Sequence, residues 1–325
     1  MRVFITGGRG YVGGRLTEHL VKNGYEVFVG TRRKVGQDRL FYGAQLIQTN
    51  LFDDNFLSRI DKKFDGIVHC AAMNAIECST DPLEAIKVNG LGTAHLVRSA
   101  KKHGVKKFIH LSTTHVYSDD PEGMIDEDTP AQNLHPYASS HLAGEFQTLY
   151  GGLDGRMETI VLRLSNGVGA PIQQNIDCWS LVVNDFCRQA VTANNVCIKS
   201  RPQLKRDFVS ISDVTAAIRF FLSSNVQGQG RKIYNLCSGK TMTLRQAAEI
   251  VKLSWSELSG KEKISIQECD GPSLKKGIKD FSFSNKKIVA AGFSFDVPVE
   301  REIRLALEKI QSWGLQGNKN ELPIF

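Results

Sequence analysis

The chain has 325 residues, 41% of them hydrophobic and 23% charged, and carries a formal net charge of +7; at about 150 residues per domain this is one large unit or two, and it is not a generally disordered chain. No stretch approaches the roughly 18 to 20 consecutive apolar residues of a membrane helix. The opening Met1-Arg2-Val3-Phe4-Ile5-Thr6 lacks the apolar length and cleavage site of a secretory leader, so a cytoplasmic location is expected.

Taken in order, Arg2–Thr6 reads as a strand, Tyr11–Lys22 as a helix and Glu26–Gly30 as a strand. Ala44–Gln48 is a further strand, Asn55–Ile60 a short helix and Gly66–Cys70 a strand. One helix is predicted over Leu83–His103, then a strand over Lys107–Ser112. Apolar spacing at Leu142, Phe146 and Leu149 predicts a helix over Tyr137–Leu149, and Thr159–Leu164 follows as a strand. Strands spaced by helices build βαβ units, so the expected fold is α/β, a Rossmann-type doubly wound parallel sheet. The second half is less regular. A helix over Ser212–Ser223 is expected to be capped by Ser212 and Asp213, with a strand over Lys232–Leu236, a helix over Thr243–Leu253 opened by Thr243, and apolar spacing across Ile303–Trp313. Residues 1–165, completed by about 206–240, are therefore assigned to the dinucleotide-binding domain. Residues 166–205 and 241–325 are assigned to a smaller, discontinuous substrate lobe.

Basic residues are spread along the chain. The pairs Lys106-Lys107, Lys275-Lys276 and Lys286-Lys287 read as solvated surface, not as the clustered stripe of a nucleic-acid binder. The seven cysteines form no C-x-x-C pair and no zinc spacing. They are expected to be buried reduced thiols, with no metal.

Between the first strand and helix runs Thr6-Gly7-Gly8-Arg9-Gly10-Tyr11-Val12-Gly13. Glycines 7, 10 and 13 allow a tight turn against a pyrophosphate, and the free N–H groups of the helix opening at Tyr11 and Val12 point at that anion. Dinucleotide binding follows from that placement. The second strand ends Val27-Phe28-Val29-Gly30-Thr31-Arg32-Arg33, with no acid to accept from a ribose 2′-hydroxyl. Arg32 beside Thr31, with Arg9, suits a 2′-phosphate instead, which favours NADP over NAD. The alternative is that these arginines are plain surface.

Leu111-Ser112-Thr113-Thr114-His115-Val116-Tyr117 ends a strand, and Pro136-Tyr137-Ala138-Ser139-Ser140-His141 opens a helix some twenty residues on. With these, the glycine turn, Asn50-Leu51, His69-Cys70-Ala71-Ala72, Val88-Asn89-Gly90-Leu91-Gly92-Thr93, Leu162-Arg163-Leu164-Ser165-Asn166, Arg206-Asp207-Phe208-Val209 and Tyr234-Asn235-Leu236, the chain resembles the extended short-chain dehydrogenase/reductase superfamily, in its nucleotide-sugar epimerase/dehydratase group. The resemblance implies that Asn50, Leu51, Cys70, Ala71, Ala72 and Asn89 meet the cofactor, and that Thr113 and Tyr137 are catalytic. It implies Thr113, Thr114, His115, Asn166 and Arg206 on the substrate side, a nucleotide sugar as substrate, and a homodimer through the helices of Leu83–His103 and Tyr137–Leu149.

One position departs from that family. Its lysine four residues after the tyrosine is His141 here. Residues i and i+4 share a helix face, so His141 takes the lysine's place at the tyrosine and the ribose. A free imidazole titrates near 6.5, is mostly neutral at pH 7, and stabilises a phenolate less than an ammonium does. Two readings stay open: a working substitute in an epimerase or reductase, or a non-catalytic NADP(H)-binding scaffold or sensor. Family dehydratases carry Asp-Glu where Thr114-His115 stands, so elimination by two carboxyl groups is not expected.

Overall fold

The computed structural model describes residues 1–35, 40–53, 55–57, 60, 63–224, 231–261, 264–269 and 279–314. In chain order these form β1 (Arg2–Thr6), α1 (Tyr11–Lys22), β2 (Glu26–Thr31), β3 (Leu40–Phe41), β4 (Ala44–Gln48), β5 (Gly66–His69), α2 (Ala75–Thr80), α3 (Pro82–Ala85), a π-helical segment (Ile86–Leu91), α4 (Gly92–Lys102) and β6 (Lys107–Thr113). There follow a 3-10 turn (Thr114–Val116), β7 (Gly123–Ile125), α5 (Pro136–Gly151), β8 (Glu158–Leu164), β9 (Asn166–Val168), α6 (Val182–Ala193), β10 (Asn195–Ile198), β11 (Lys205–Ser210) and α7 (Ile211–Ser223). The chain closes with β12 (Ile233–Leu236), β13 (Thr241–Thr243), α8 (Leu244–Ser259), β14 (Ser265–Glu268), β15 (Phe281–Phe283), α9 (Lys286–Ala290) and α10 (Val299–Ser312).

Val3, Phe4 and Ile5 are fully buried, as a strand covered by helices on both faces requires. The central sheet has eight strands in the order β12-β8-β6-β5-β1-β2-β4-β3, parallel except for the antiparallel edge strand β3. The order reverses between β1 and β5, and such a reversal leaves a crevice beyond the carboxyl ends of the strands. Register aligns those ends: Thr6 pairs with Gly30 and with His69, and Thr113 with Leu164. One core lies between the sheet and the helices α1 and α7, centred on Leu16, Leu20, Val214 and Phe221. A second core, of Phe186, Phe208, Val251, Trp255 and Ile303, joins α6, α8 and α10 around β9, β10 and β11. Among the described residues no helix is long and apolar enough to cross a membrane.

Several expectations are corrected. The short helix over Asn55–Ile60 is a turn at residues 55–57, and residues 58 and 59 lie outside those described. The continuous helix over Leu83–His103 is broken by the π-helical turn. The buried Asn89 side chain there accepts from Met73 N–H at 2.8 Å and donates to Ser140 Oγ at 3.0 Å, which ties the widened turn to α5. The cap of α7 is Ser210, whose hydroxyl accepts from Asp213 N–H at 3.0 Å, rather than Ser212. Ser212 instead donates to the buried Glu302, which also pairs with Arg15 at 3.1 Å. Finally, Cys197 and Cys269 form a disulfide, whereas Cys70, Cys78, Cys178, Cys187 and Cys237 are free. β10 and β14 lie side by side, and Cys269 N–H donates to Ile198 O at 3.1 Å, which sets the two Cα atoms 5.8 Å apart.

Candidate active site

The glycine turn lies hard against the exit of β5. Gly7 has φ +67°, and a Cβ there would stand 2.7 Å from the Ala71 nitrogen; one on Gly13 would stand 2.2 Å from Gly7 O. Gly10 precedes α1 with no side chain capping that helix, and no acidic residue sits in its first turn. Unshared donors at the positive end of a helix dipole are the donor set that a pyrophosphate needs, so the residues present fit a dinucleotide. Tyr11 gives only backbone to this turn. Its ring reaches Gly167, and its hydroxyl is buried without a partner near Asn184.

At the end of β2, Thr31 is buried and its hydroxyl accepts from Arg33 N–H at 3.3 Å. Arg32 is exposed, and the Arg9 guanidinium rests 5.9 Å from the centre of the Phe41 ring. Neither arginine has a carboxylate partner among the described residues. Asn50 is exposed and Leu51 half-buried, with Asn50 Oδ1 accepting from Phe52 N–H at 3.1 Å. Beyond β5, burial pushes the Cys70 thiol up to about 12, so it is uncharged. Ala71 N–H donates to Thr6 Oγ1 at 3.3 Å, and Ala72 is exposed. Asn89 spends its side chain on Met73, Ser140 and Cys78, and so acts through the segment that it holds.

Thr113 closes β6, buried, with its hydroxyl accepting from His115 N–H at 3.1 Å. Tyr137 stands in the first turn of α5, where Pro136 suits the first helical position and His135 Nδ1 accepts from Tyr137 N–H at 3.1 Å. Burial raises the Tyr137 phenol above its ordinary value, and the nearby Thr113 hydroxyl offsets this only in part. His141 lies one turn on, its ring edge-on to Tyr137 with centroids 4.6 Å apart. Both His141 ring nitrogens are buried without a partner. Burial, and then the His115 imidazole, lower its pKa to about 4, so the ring is neutral at pH 7. Among the described residues no cation supports a Tyr137 phenolate from this side.

His141 has company that the sequence reading did not single out. His110 on β6 stands 6.4 Å from it and 5.2 Å from His69 on β5, ring centre to ring centre. His69 and His110 are register partners. His69 bonds Thr6 Oγ1 at 2.6 Å and Thr93 Oγ1 at 2.9 Å, and His110 bonds Thr148 Oγ1 at 3.0 Å. Burial lowers all three imidazoles, His69 to about 3. Behind Thr113, Ser112 donates to the fully buried Glu145 at 2.6 Å, and Arg163 pairs with the same carboxylate at 2.7 Å. That pair locks α5 to β6 and β8. The signal for both features was in the sequence, as polar residues inside strands, but nothing local says what they meet.

On the substrate side Thr114 is buried and His115 exposed. Asn166 Nδ2 donates to Asp207 O at 2.9 Å. Arg206 donates to Lys205 O at 2.8 Å, and its charge bears on His115. Among the described residues Arg206 forms no salt bridge with Asp207 or Asp213. Asp207 accepts from Ser165, Ser238 and Gly239, and Asp213 from the Asp296 and Val297 N–H groups. Lys275 and Lys276 lie outside the described residues. The sequence reading also missed a pocket of about 270 Å³, open to solvent at the edge of the second core, lined by Trp179, Val182, Phe186, Ile198, Lys199 and Leu244.

A profile of the NAD dependent epimerase/dehydratase family matches residues 3–237. The mouse dTDP-D-glucose 4,6-dehydratase is 27% identical over 94% of this chain and 88% of its own length. The Thermus thermophilus UDP-glucose 4-epimerase, solved in complex with NAD, is 25% identical and superposes with a TM-score of 0.77 over 96% of this chain and 99% of that one. RMD from Pseudomonas aeruginosa, complexed with NADPH, shares the fold at 22% identity, with a TM-score of 0.76 over 96% of this chain and 99% of that one. With a family match over most of its length, a Rossmann-type sheet and a threonine–tyrosine pair at the cleft, this chain belongs to the NAD-dependent epimerase/dehydratase family of extended short-chain dehydrogenases.

Proposed function

We propose that the protein binds NADP and transfers a hydride at a sugar carbon of a nucleotide sugar, as an epimerase or a reductase. The observation that carries this reading is the Thr113–Tyr137 pair at the carboxyl end of β6, in the crevice that the glycine turn also borders. The cofactor supplies the hydride chemistry when bound. The rest falls to the chain. The glycine turn and the first N–H groups of α1 hold the pyrophosphate, with Asn50, Leu51, Cys70, Ala71 and Ala72 along the cofactor. Thr113 orients the reacting sugar oxygen, and Tyr137 takes or gives its proton. Arg206, without a carboxylate partner among the described residues, suits the substrate diphosphate, Asn166 and Thr114 line its path, and the pocket at Trp179 suits the base. NADPH consumption marks a reductase, and return of the hydride to the other face of the same carbon marks an epimerase. The scaffold alternative is not favoured, because Thr113 and Tyr137 are both present and the relatives are nucleotide-sugar enzymes.

The cofactor reading has a direct test. Nicotinamide fluorescence titration of Arg32→Ala is expected to show NADPH binding weakened about tenfold, the scale of a lost charge-assisted contact, with NADH nearly unchanged. Equal loss for both cofactors removes the 2′-phosphate argument. We also propose a homodimer through α4 and α5. Phe146 and Tyr150 of α5 are exposed, as are Leu91, just before α4, and Leu153, just after α5, apolar side chains of the kind that a partner copy covers. Sedimentation velocity should then read twice 36.0 kDa, and a species at the single mass at micromolar concentration would retire the dimer.

A further inference from the structure

Tyr137 holds the second position of α5, where a backbone N–H has no acceptor within the helix. His135 supplies one. It sits in extended conformation just ahead of Pro136, and its Nδ1 accepts from Tyr137 N–H at 3.1 Å. Short oxygen-bearing side chains usually fill this place. An imidazole brings a second nitrogen, and here that nitrogen reaches Ser79 Oγ on α2 at 2.9 Å. Because Nδ1 accepts, the ring proton is on Nε2, which donates to Ser79; the Ser79 hydroxyl donates in turn to Ala75 O at 3.0 Å. The backbone of His135 is tied as well. Its N–H donates to Asn133 Oδ1 at 2.9 Å, and Asn133 Nδ2 donates to His115 O at 2.8 Å. Asn133 N–H also donates to Val116 O at 3.3 Å. His115 N–H closes the path by donating to Thr113 Oγ1 at 3.1 Å. Thr113 and Tyr137, distant in sequence, are thus joined by an unbroken run of hydrogen bonds through His115, Asn133 and His135.

Resting on the reading of Tyr137 as the proton-transfer group, we propose that His135 is a positioning residue for that transfer. It holds the first turn of α5 so that the Tyr137 phenol and the Thr113 hydroxyl converge on one sugar oxygen. Both of its nitrogens are engaged, one by Tyr137 N–H and one by Ser79, so it acts through Tyr137 and moves no proton itself. The phenol is carried by a backbone whose N–H has His135 as its partner. Without the imidazole that N–H turns to water, and the turn frays as helix ends do. Proton transfer requires hydrogen-bond reach between the groups, so a shift at this helix start is felt in the chemical step. Cofactor affinity rests instead on the glycine turn and α1, which His135 does not touch. The residue is exposed, so its replacement leaves the core intact.

The test follows a single hydride transfer. The whole chain is loaded with NADPH and mixed with UDP-4-keto-6-deoxyglucose, and loss of the reduced-nicotinamide absorbance is timed. Varying the probe concentration separates the maximal rate from the affinity. His135→Ala is expected to lower the maximal rate about tenfold, less than the roughly hundredfold cost of a full 1 Å misplacement, with the affinities for probe and NADPH unchanged. His135→Asn, which keeps a cap acceptor for Tyr137 N–H, is expected to restore the rate to within about threefold of the wild type. In a Tyr137→Phe background His135→Ala is expected to cost nothing further, because the group it positions is gone. A His135→Ala rate equal to the wild type, a His135→Asn rate as low as that of His135→Ala, or the same loss repeated in the Tyr137→Phe background overturns the assignment and leaves the role of Tyr137 standing. A probe that does not bind or takes no hydride from the wild type, or a Tyr137→Phe chain as fast as the wild type, removes the proton-transfer reading itself, and this inference with it.

Discussion

Tyr137→Phe is expected to lower kcat by about a thousandfold, the middle of the range for a positioned proton-transfer group, while NADPH binding changes little. The substitution removes only the hydroxyl. The ring that packs against His141 stays, and so does the helix start, which is set by Pro136 and His135. The wild-type pH profile carries the same claim. Burial raises the phenol, so its ionised form, the base for alcohol oxidation, is scarce at pH 7 and grows as pH rises. Oxidation should therefore speed up through the alkaline range. His141→Lys should move that rise towards neutrality and lift the rate at pH 7, because an ammonium one turn along α5 stabilises the phenolate where a neutral imidazole does not. The measurement is kcat against pH for the three proteins, each with its cofactor affinity determined. If Tyr137→Phe retains most of its activity, Tyr137 is not the proton donor. If His141→Lys leaves the profile in place with cofactor binding intact, the imidazole is not what limits it.

Stability should fall steeply as pH drops from 6.5 towards 5. His69 and His141 titrate at about 3 and about 4 in the folded chain because burial disfavours their charged forms, and His110 is lowered in the same direction. In the unfolded chain each titrates near 6.5. Below 6.5 the unfolded state therefore binds protons that the folded state does not, and folding is penalised further with each step down. By pH 5 the cost is about 2 kcal/mol per imidazole, so the column removes a large part of an ordinary stability of about 5 to 15 kcal/mol. The carboxyl groups of Asp207, Asp213 and Glu127, raised by burial, act in the opposite sense as pH falls through their own folded values. Urea unfolding followed by circular dichroism at pH 8, 6.5, 6 and 5 reads this directly. A midpoint that holds steady from pH 6.5 to 5 would mean that the three rings are not buried as neutral imidazoles.

The phenol and the column expose one limit of reading residues by position. His141 was placed correctly on the Tyr137 face, because i and i+4 share a face in any α-helix. Its neutrality and its company were not visible. They arise because β5 and β6 bring His69 and His110 into register beneath α5, a meeting of segments about 30 to 70 residues apart. The π-helical turn at Asn89 was missed for a similar reason: Val88-Asn89-Gly90 reads as helix until the asparagine finds Met73 and Ser140.

What could be read along the chain is what local chemistry sets. Strand and helix periods, the glycine turn, the capping box at Thr243 and the placing of Thr113 and Tyr137 all depend on residues a few positions apart, whose backbone consequences travel with them anywhere. Which polar groups are paired emerged with folding alone. The disulfide between Cys197 and Cys269, the carboxylate shared by Ser112 and Arg163 and the shielded nitrogens of His141 were settled by contacts between distant segments. Desolvation and hydrogen bonding depend on every atom within a few ångströms, and that neighbourhood is assembled by the fold, not by adjacency along the chain.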